Sequence, residues 1–171
     1  MQNMKKLLVF AIVVLGFAAS SFAQVTATAS TTATILTPIA ITKTVDMNFG
    51  NIAISPTIAG TVVLPTTGAR TLTGGVTLPV VTGTVTPATF TVTGDGTSTY
   101  SITLPGSAIT LNGPASTTMT VQSFVSTPSG TGVLTAGTQT VKVGATLNVG
   151  AAQGAGTYTN ASSLFVTVNY N

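Results

Sequence analysis

The chain has 171 residues with no cysteine, histidine or tryptophan, and only 4% of its residues are charged. Asp46 and Asp95 are its only side-chain carboxylates, so the usual acids, bases, thiol nucleophiles and metal ligands are missing. We therefore expect no enzyme activity, no cofactor and no metal site. The few Lys and Arg residues are scattered, whereas nucleic-acid binding needs clustered positive charge, so no nucleic-acid partner is expected.

Residues 1–23 have the pattern of a secretory signal peptide. Lys5 and Lys6 precede an apolar stretch, and Ser21-Phe22-Ala23 places small residues just before Gln24. The apolar stretch is shorter than the roughly 20 residues that a transmembrane helix needs. We expect export through the periplasm to the cell surface, with Gln24 as the mature N-terminus and no permanent membrane anchor.

Residues 24–37 form a candidate N-terminal extension, which Pro38 separates from the rest of the chain. Small or apolar side chains alternate here mainly with Thr and Ser, so an extended strand places them on one face. Two interpretations remain open: a first strand paired within its own domain, or a donor strand that completes a neighbouring subunit. The residues that share the apolar face are Val25, Ala27, Ala29, Thr31, Ala33 and Ile35.

Residues 38–171 alternate apolar and polar residues with a period of two, which predicts strands rather than helices. The first strands are expected at residues 39–49, where Lys43 interrupts the apolar face, and at residues 61–64 and 70–78. Residues 80–85 are expected to pair locally. Two alternating runs then flank Gly94-Asp95-Gly96, and this arrangement predicts a β-hairpin.

Further strands are expected at residues 109–111, 119–125, 141–149 and 164–170. In the third of these, Val141, Val143, Leu147 and Val149 share one face. About seven to nine short strands separated by Gly and Pro turns indicate an all-β fold, an antiparallel β-sandwich. The topology is either immunoglobulin-like or jelly-roll, with an extended N-terminal strand ahead of the domain.

Short motifs near the two ends of this domain resemble those of known secreted families. Gly156-Thr157-Tyr158, followed by a final strand ending in Asn169-Tyr170-Asn171, resembles the ending of bacterial fimbrial and spore-coat-U-type domains. Met47-Asn48-Phe49-Gly50 and Val143-Gly144-Ala145 resemble a related family of small exported β-domains known only as a domain of unknown function. The chain departs from many fimbrial subunits because it lacks their cysteine pair.

The resemblance implies an incomplete sandwich whose missing strand comes first from a periplasmic chaperone and then from the next subunit. It gives the apolar face of the extension the role of donor, and the final strand the role of acceptor edge. The expected function is thus a structural subunit of a bacterial pilus or surface filament, with other copies and an assembly factor as partners. The alternative is a monomeric secreted adhesin or carbohydrate-binding module. The acceptor residues are Leu164, Val166, Val168 and Tyr170.

Overall fold

The structure is a computed structural model that describes residues 24–161 and 164–171. The predicted signal peptide lies outside the described residues. A compact unit runs from Ile35 to Asn171, and residues 24–34 lie outside it. The only helical element in the described residues is a single 3₁₀ turn at Pro114–Ser116. No helix in this part of the chain has the length and apolar character needed to cross a membrane.

Twelve strands make up the described fold, all paired antiparallel, so the predicted all-β antiparallel class is confirmed. The number exceeds the predicted seven to nine because residues 70–78 form two short strands on either side of Gly75, and because Ala53–Ile54 and Thr131–Val133 are strands where none was expected. The strands are β1 (Ala40–Val45), β2 (Ala53–Ile54), β3 (Gly60–Leu64), β4 (Thr71–Gly74), β5 (Val76–Thr77), β6 (Ala88–Thr93), β7 (Thr99–Thr103), β8 (Ile109–Asn112), β9 (Thr118–Thr127), β10 (Thr131–Val133), β11 (Thr138–Val149) and β12 (Thr167–Tyr170).

Strand β11 is the centre of the large sheet. Its first half pairs with β6 and its second half with β3 on the same side, while β9 covers the other side. Strands β1, β4 and β8 form the outer positions of this sheet. The predicted apolar face of β11 is confirmed, because Val141, Val143, Leu147 and Val149 are all buried.

The change of partner along β11 depends on Gly144. A Cβ at this position would lie 2.3 Å from the carbonyl oxygen of Leu64, at the end of β3. Ala145 is opposite a bulge in β9, where Ser123 has a positive φ of 55°. Such a bulge bends the strand and increases its twist. The bare backbone of Gly144 therefore lets β11 pass from β6 to β3 without a break.

Strand β11 contributes to two hydrophobic cores, one along each half of its length. In the first, the inner face of β1, β6 and β11 packs on a small sheet of order β10-β7-β12, which makes the β-sandwich. The second contains buried residues of β3, β5, β9 and β11 together with Phe49. Met47 and Phe124 pack against both cores. The first core supports two strands at sheet edges, β1 and β12.

The predicted hairpin at Gly94-Asp95-Gly96 is wrong. Strand β6 pairs with β1 and β11, whereas β7 pairs with β10 and β12, so the two strands lie in opposite sheets. The turn crosses between the sheets and is held by the loop before β11: Gly94 N–H donates to Gly137 O, and Gly137 N–H donates to Gly96 O. A turn signal indicates that the chain bends, but not that both strands remain in one sheet.

Two other expectations also differ from the structure. Residues 80–85 form no strand, and Val80 and Val81 are fully and largely exposed. The loop is instead held at its base by Asn51, whose side chain donates to Val81 O and whose N–H donates to Thr82 O. Residues 24–39 have no assigned strand, so the extended N-terminal strand is not formed in the isolated chain.

Candidate assembly interface

The final strand β12 forms one edge of the small sheet. It pairs with β7, from Thr167 opposite Thr103 to Tyr170 opposite Tyr100, and no other ladder of the described chain includes it. Val168 is buried, while Leu164, Val166 and Tyr170 are half-buried and pack against the first core. All four predicted acceptor residues therefore pack on the core side, but the expected strand 164–170 is shorter in the structure: Val168 and Tyr170 lie on β12, whereas Leu164 and Val166 lie in the segment before it.

Within the described residues, the main chain of β12 has no partner on its outer side. Asn171 N–H donates to Thr99 O, which continues the β12–β7 register by one pair. Main-chain groups in an antiparallel ladder point alternately toward and away from the partner strand. Since Asn171 points toward β7, the N–H and C=O groups of Val168 and Tyr170 point away from it. The same two residues thus present apolar side chains to the core and free main-chain groups to the edge.

No charged side chain lies on β12. The side chains that alternate with the core-facing ones, Thr167 and Asn169, are exposed and uncharged. Phe165 precedes the strand and leaves 54% of its surface exposed. Soluble proteins usually protect such edges with lysine, proline or a bulge. Strand β12 has none of these three devices, and its four residues make it a short edge.

Strand β1 is the corresponding edge of the large sheet, and it lies close to β12. Ile41 is opposite Val92 and Lys43 is opposite Phe90, so both β1 side chains start on the core-facing side. Lys43 reaches solvent and forms an ion pair with Asp46, with 2.5 Å between Nζ and Oδ1. The register then shifts between Lys43 and Val45. An inward-facing charge followed by a bulge is a known protection of sheet edges.

The predicted donor residues are exposed in the isolated chain. Val25 has 91% of its surface exposed and Ile35 has 96%. Ala27, Ala29, Thr31 and Ala33 are exposed as well. Their pairing with another copy stays a prediction, since a single chain contains no such partner.

The hydroxyl of Tyr170 is a feature that the sequence did not reveal. It accepts a hydrogen bond from Asp95 N–H at 2.6 Å and donates one to Thr37 O at 2.7 Å. It thereby joins the end of β12, the turn between β6 and β7, and the segment that leads into β1. A tyrosine at the end of a strand is a weak signal, because its partners are 75 and 133 residues away.

The other tyrosines belong to the packing of the domain. Tyr100 is fully buried and donates to Gln139 Oε1 at 2.6 Å, and burial raises the pKa of its phenol above the ordinary 10.0. The hydroxyl of Tyr158, from the Gly-x-Tyr motif, lies 2.8 Å from Thr117 Oγ1 and donates to Gly154 O. The buried ring of Tyr100 therefore offers no stacking face of the kind on which sugar-binding modules rely.

A shallow depression on the far half of the large sheet is lined by polar and apolar residues of β3, β4, β9 and β11 and of the turns beside them, and most of its exposed surface is apolar. Many of these groups already bond to each other. Thr61 Oγ1 lies 2.7 Å from Thr73 Oγ1, and Asn148 donates to Thr120 Oγ1 at 3.1 Å. No buried side-chain nitrogen or oxygen in the described residues lacks a hydrogen-bond partner.

Comparison with known proteins gives one result. No curated protein and no solved structure matches the chain. Residues 39–170 match the family described as a domain of unknown function, DUF4402. The match begins one residue before β1 and ends with the last residue of β12. The chain belongs to the DUF4402 family.

Proposed function

We propose that this protein is a structural subunit of a bacterial pilus or surface filament. Residues 24–37 of one copy add as a strand to the free edge of β12 in the next copy. The observation that carries the proposal is the edge itself, where Val168 and Tyr170 have unpaired main-chain groups over an apolar core. Strand addition supplies main-chain hydrogen bonds for affinity, and pockets for alternate side chains supply specificity.

The donor segment fits this edge in length and in chemistry. At about 3.3 Å per residue, residues 24–36 extend roughly 40 Å. The edge from Leu164 to Tyr170 measures about half of that on the same scale. The alternate side chains from Val25 to Ala33 are small, so they suit the narrow space between two packed sheets. Neither partner surface carries a charged side chain, so the interface requires no desolvation of charged side chains.

This form of addition produces a linear polymer. The donor and acceptor are different surfaces of the same chain, so the contact is heterologous. A heterologous contact that does not close into a ring continues into a filament. Export to the cell surface and a requirement for a periplasmic chaperone or assembly factor are parts of the same proposal.

The test compares two substitutions on opposite faces of the donor, Ala29→Asp and Ser30→Asp, in the chain that begins at Gln24. Electron microscopy and light scattering measure assembly. We expect filaments or ladders from the unsubstituted chain and from Ser30→Asp, and monomers from Ala29→Asp, because only Ala29 turns toward the acceptor core. Equal assembly of both variants would contradict the donor role. Monomers in all three cases would favour the alternative, a monomeric adhesin or carbohydrate-binding module.

A further inference from the structure

Tyr170 belongs to two parts of the molecule that strand donation would use. Its main chain lies on the free edge of β12, where the neighbour's donor would pair. Its hydroxyl donates to the carbonyl of Thr37, at the root of the chain's own donor segment. Tyr170 is therefore part of the edge that would accept one neighbour's donor, and it also contacts the residue at which the chain's own donor segment ends.

The position of the Tyr170 hydroxyl is closely restricted. Asp95 N–H donates to it at 2.6 Å. A Cβ built on Gly94 would lie 2.3 Å from this oxygen and 3.0 Å from Leu134 Cδ1, so no larger residue fits beside it. The ring packs against the first core. The hydroxyl can therefore hold Thr37 in place only while the end of β12 keeps its present position.

The backbone at Thr37 is suited to transmit this restraint. Thr37 precedes Pro38, and a residue before proline is restricted to extended conformations. Because its carbonyl is also hydrogen-bonded to Tyr170, the backbone of Thr37 can adopt few other conformations. Residues 24–36 continue from this fixed point. In the isolated chain β12 is an edge with one partner strand, and edge strands fray more readily than paired ones.

We propose that Tyr170 couples the acceptor edge to the donor root. This inference depends on the proposed function, and it adds a direction to assembly. A donor strand that binds β12 gives this strand a second partner, which fixes Tyr170 and through its hydroxyl fixes Thr37. A complemented subunit then presents its own donor in a more ordered form than a free subunit does. Growth at an existing end becomes faster than the start of a new filament.

The coupling is tested in the full chain from Gln24, in an Ala29→Asp background that disables the chain's own donor. The acceptor is then filled with a synthetic peptide of residues 24–37. Hydrogen exchange is measured at Asp95 and across residues 35–41, with and without the peptide. We expect the peptide to slow exchange at both places. Tyr170→Phe, which lacks the hydroxyl, is examined at peptide concentrations that saturate its acceptor, and there we expect that the protection does not reach residues 35–41.

A second pair of variants separates coupling from general loss of stability. Gly94→Ala places a methyl group against the hydroxyl and so displaces it while Tyr170 itself is retained, which should abolish the spread of protection. Gly106→Ala is the matched control, because a Cβ there has nothing within 4 Å. In the donor-intact background, seeded growth should slow about fivefold in Tyr170→Phe, which corresponds to one neutral hydrogen bond. Gly106→Ala should grow at the normal rate.

The possible failures are distinguishable. If the peptide binds but protects residues 35–41 equally with and without the Tyr170 hydroxyl, the coupling is wrong and strand donation stands. Growth of Tyr170→Phe and Gly94→Ala at the normal rate would also overturn the coupling and leave strand donation intact. If the peptide binds none of the variants, β12 is not an acceptor, and both the proposed function and this inference are wrong.

Discussion

Strands β1 and β12 are neighbouring edges of the same sandwich, and they differ in how they meet solvent. Strand β1 carries Lys43 on its core-facing side and is followed by a change of register. Strand β12 has no charge and keeps a continuous register with β7. The charge and the bulge are thus present on one edge and absent from the other. Under the proposed function, this contrast directs strand addition to β12 and away from β1.

The largest expected effect follows from placing a carboxylate on each edge. Val168 is 9% exposed and Val45 is 39% exposed. In Val168→Asp the charge would be buried without a partner, so we expect a loss of about 3–5 kcal/mol in the free energy of unfolding. Val45→Asp should change it by no more than about 0.5 kcal/mol. Urea denaturation measures both, and similar losses would show that the two edges are equally exposed.

Removal of the charge from β1 should have a smaller effect on stability and a visible effect on association. In Lys43→Val the exposed ion pair with Asp46 is lost, which costs at most about 1 kcal/mol. The inner face of β1 becomes apolar, so a second adhesive edge appears and particle size rises with concentration in light scattering. Lys142→Val is the control, since it removes an equal charge from β11, which is paired on both sides. Equal aggregation of both variants would assign the effect to net charge alone.

The smallest effect on stability is expected from protecting β12 in the way that β1 is protected. Thr167 and Thr103 are exposed and directly opposite each other, but only Thr167 is on the edge strand. Lysine at either position should alter the free energy of unfolding by less than about 0.5 kcal/mol. Thr167→Lys should nevertheless reduce filament formation, because an edge lysine discourages strand addition. Assembly of Thr103→Lys should be unchanged, and an equal reduction in both would argue against the β12 edge as the site.

The parts of the fold that were predictable are those in which local pattern and burial agree. Strand β11 is long and alternates without interruption, so its four apolar residues identified its inner face correctly. The hairpin at Gly94-Asp95-Gly96 failed because the partner of a strand is set by contacts far along the chain. Residues 80–85 have a sequence that predicts a strand, but a hydrogen bond from the Asn51 side chain holds them as a loop.

The candidate interface was predictable to a similar extent. Alternation correctly placed Val166, Val168 and Tyr170 on the core side of the last strand. No sequence pattern indicates that the outer side of β12 lacks a partner, since this depends on which strands fill the small sheet. The Tyr170 hydroxyl bonds were equally unpredictable, because their partners belong to distant segments. The donor role of residues 24–37 stays a prediction.

The scarcity of charge has a consequence for the environments that the protein can tolerate. Lys43, Asp46, Arg70, Asp95 and Lys142 are the charged side chains of residues 24–171, and Lys43 with Asp46 is the one ion pair among the described residues. Dissolved salt acts on proteins largely by screening such charges. The fold and its β12 edge offer it very little to screen. At the ionic strengths where screening dominates, we therefore expect the free energy of unfolding of this domain to change little with added salt.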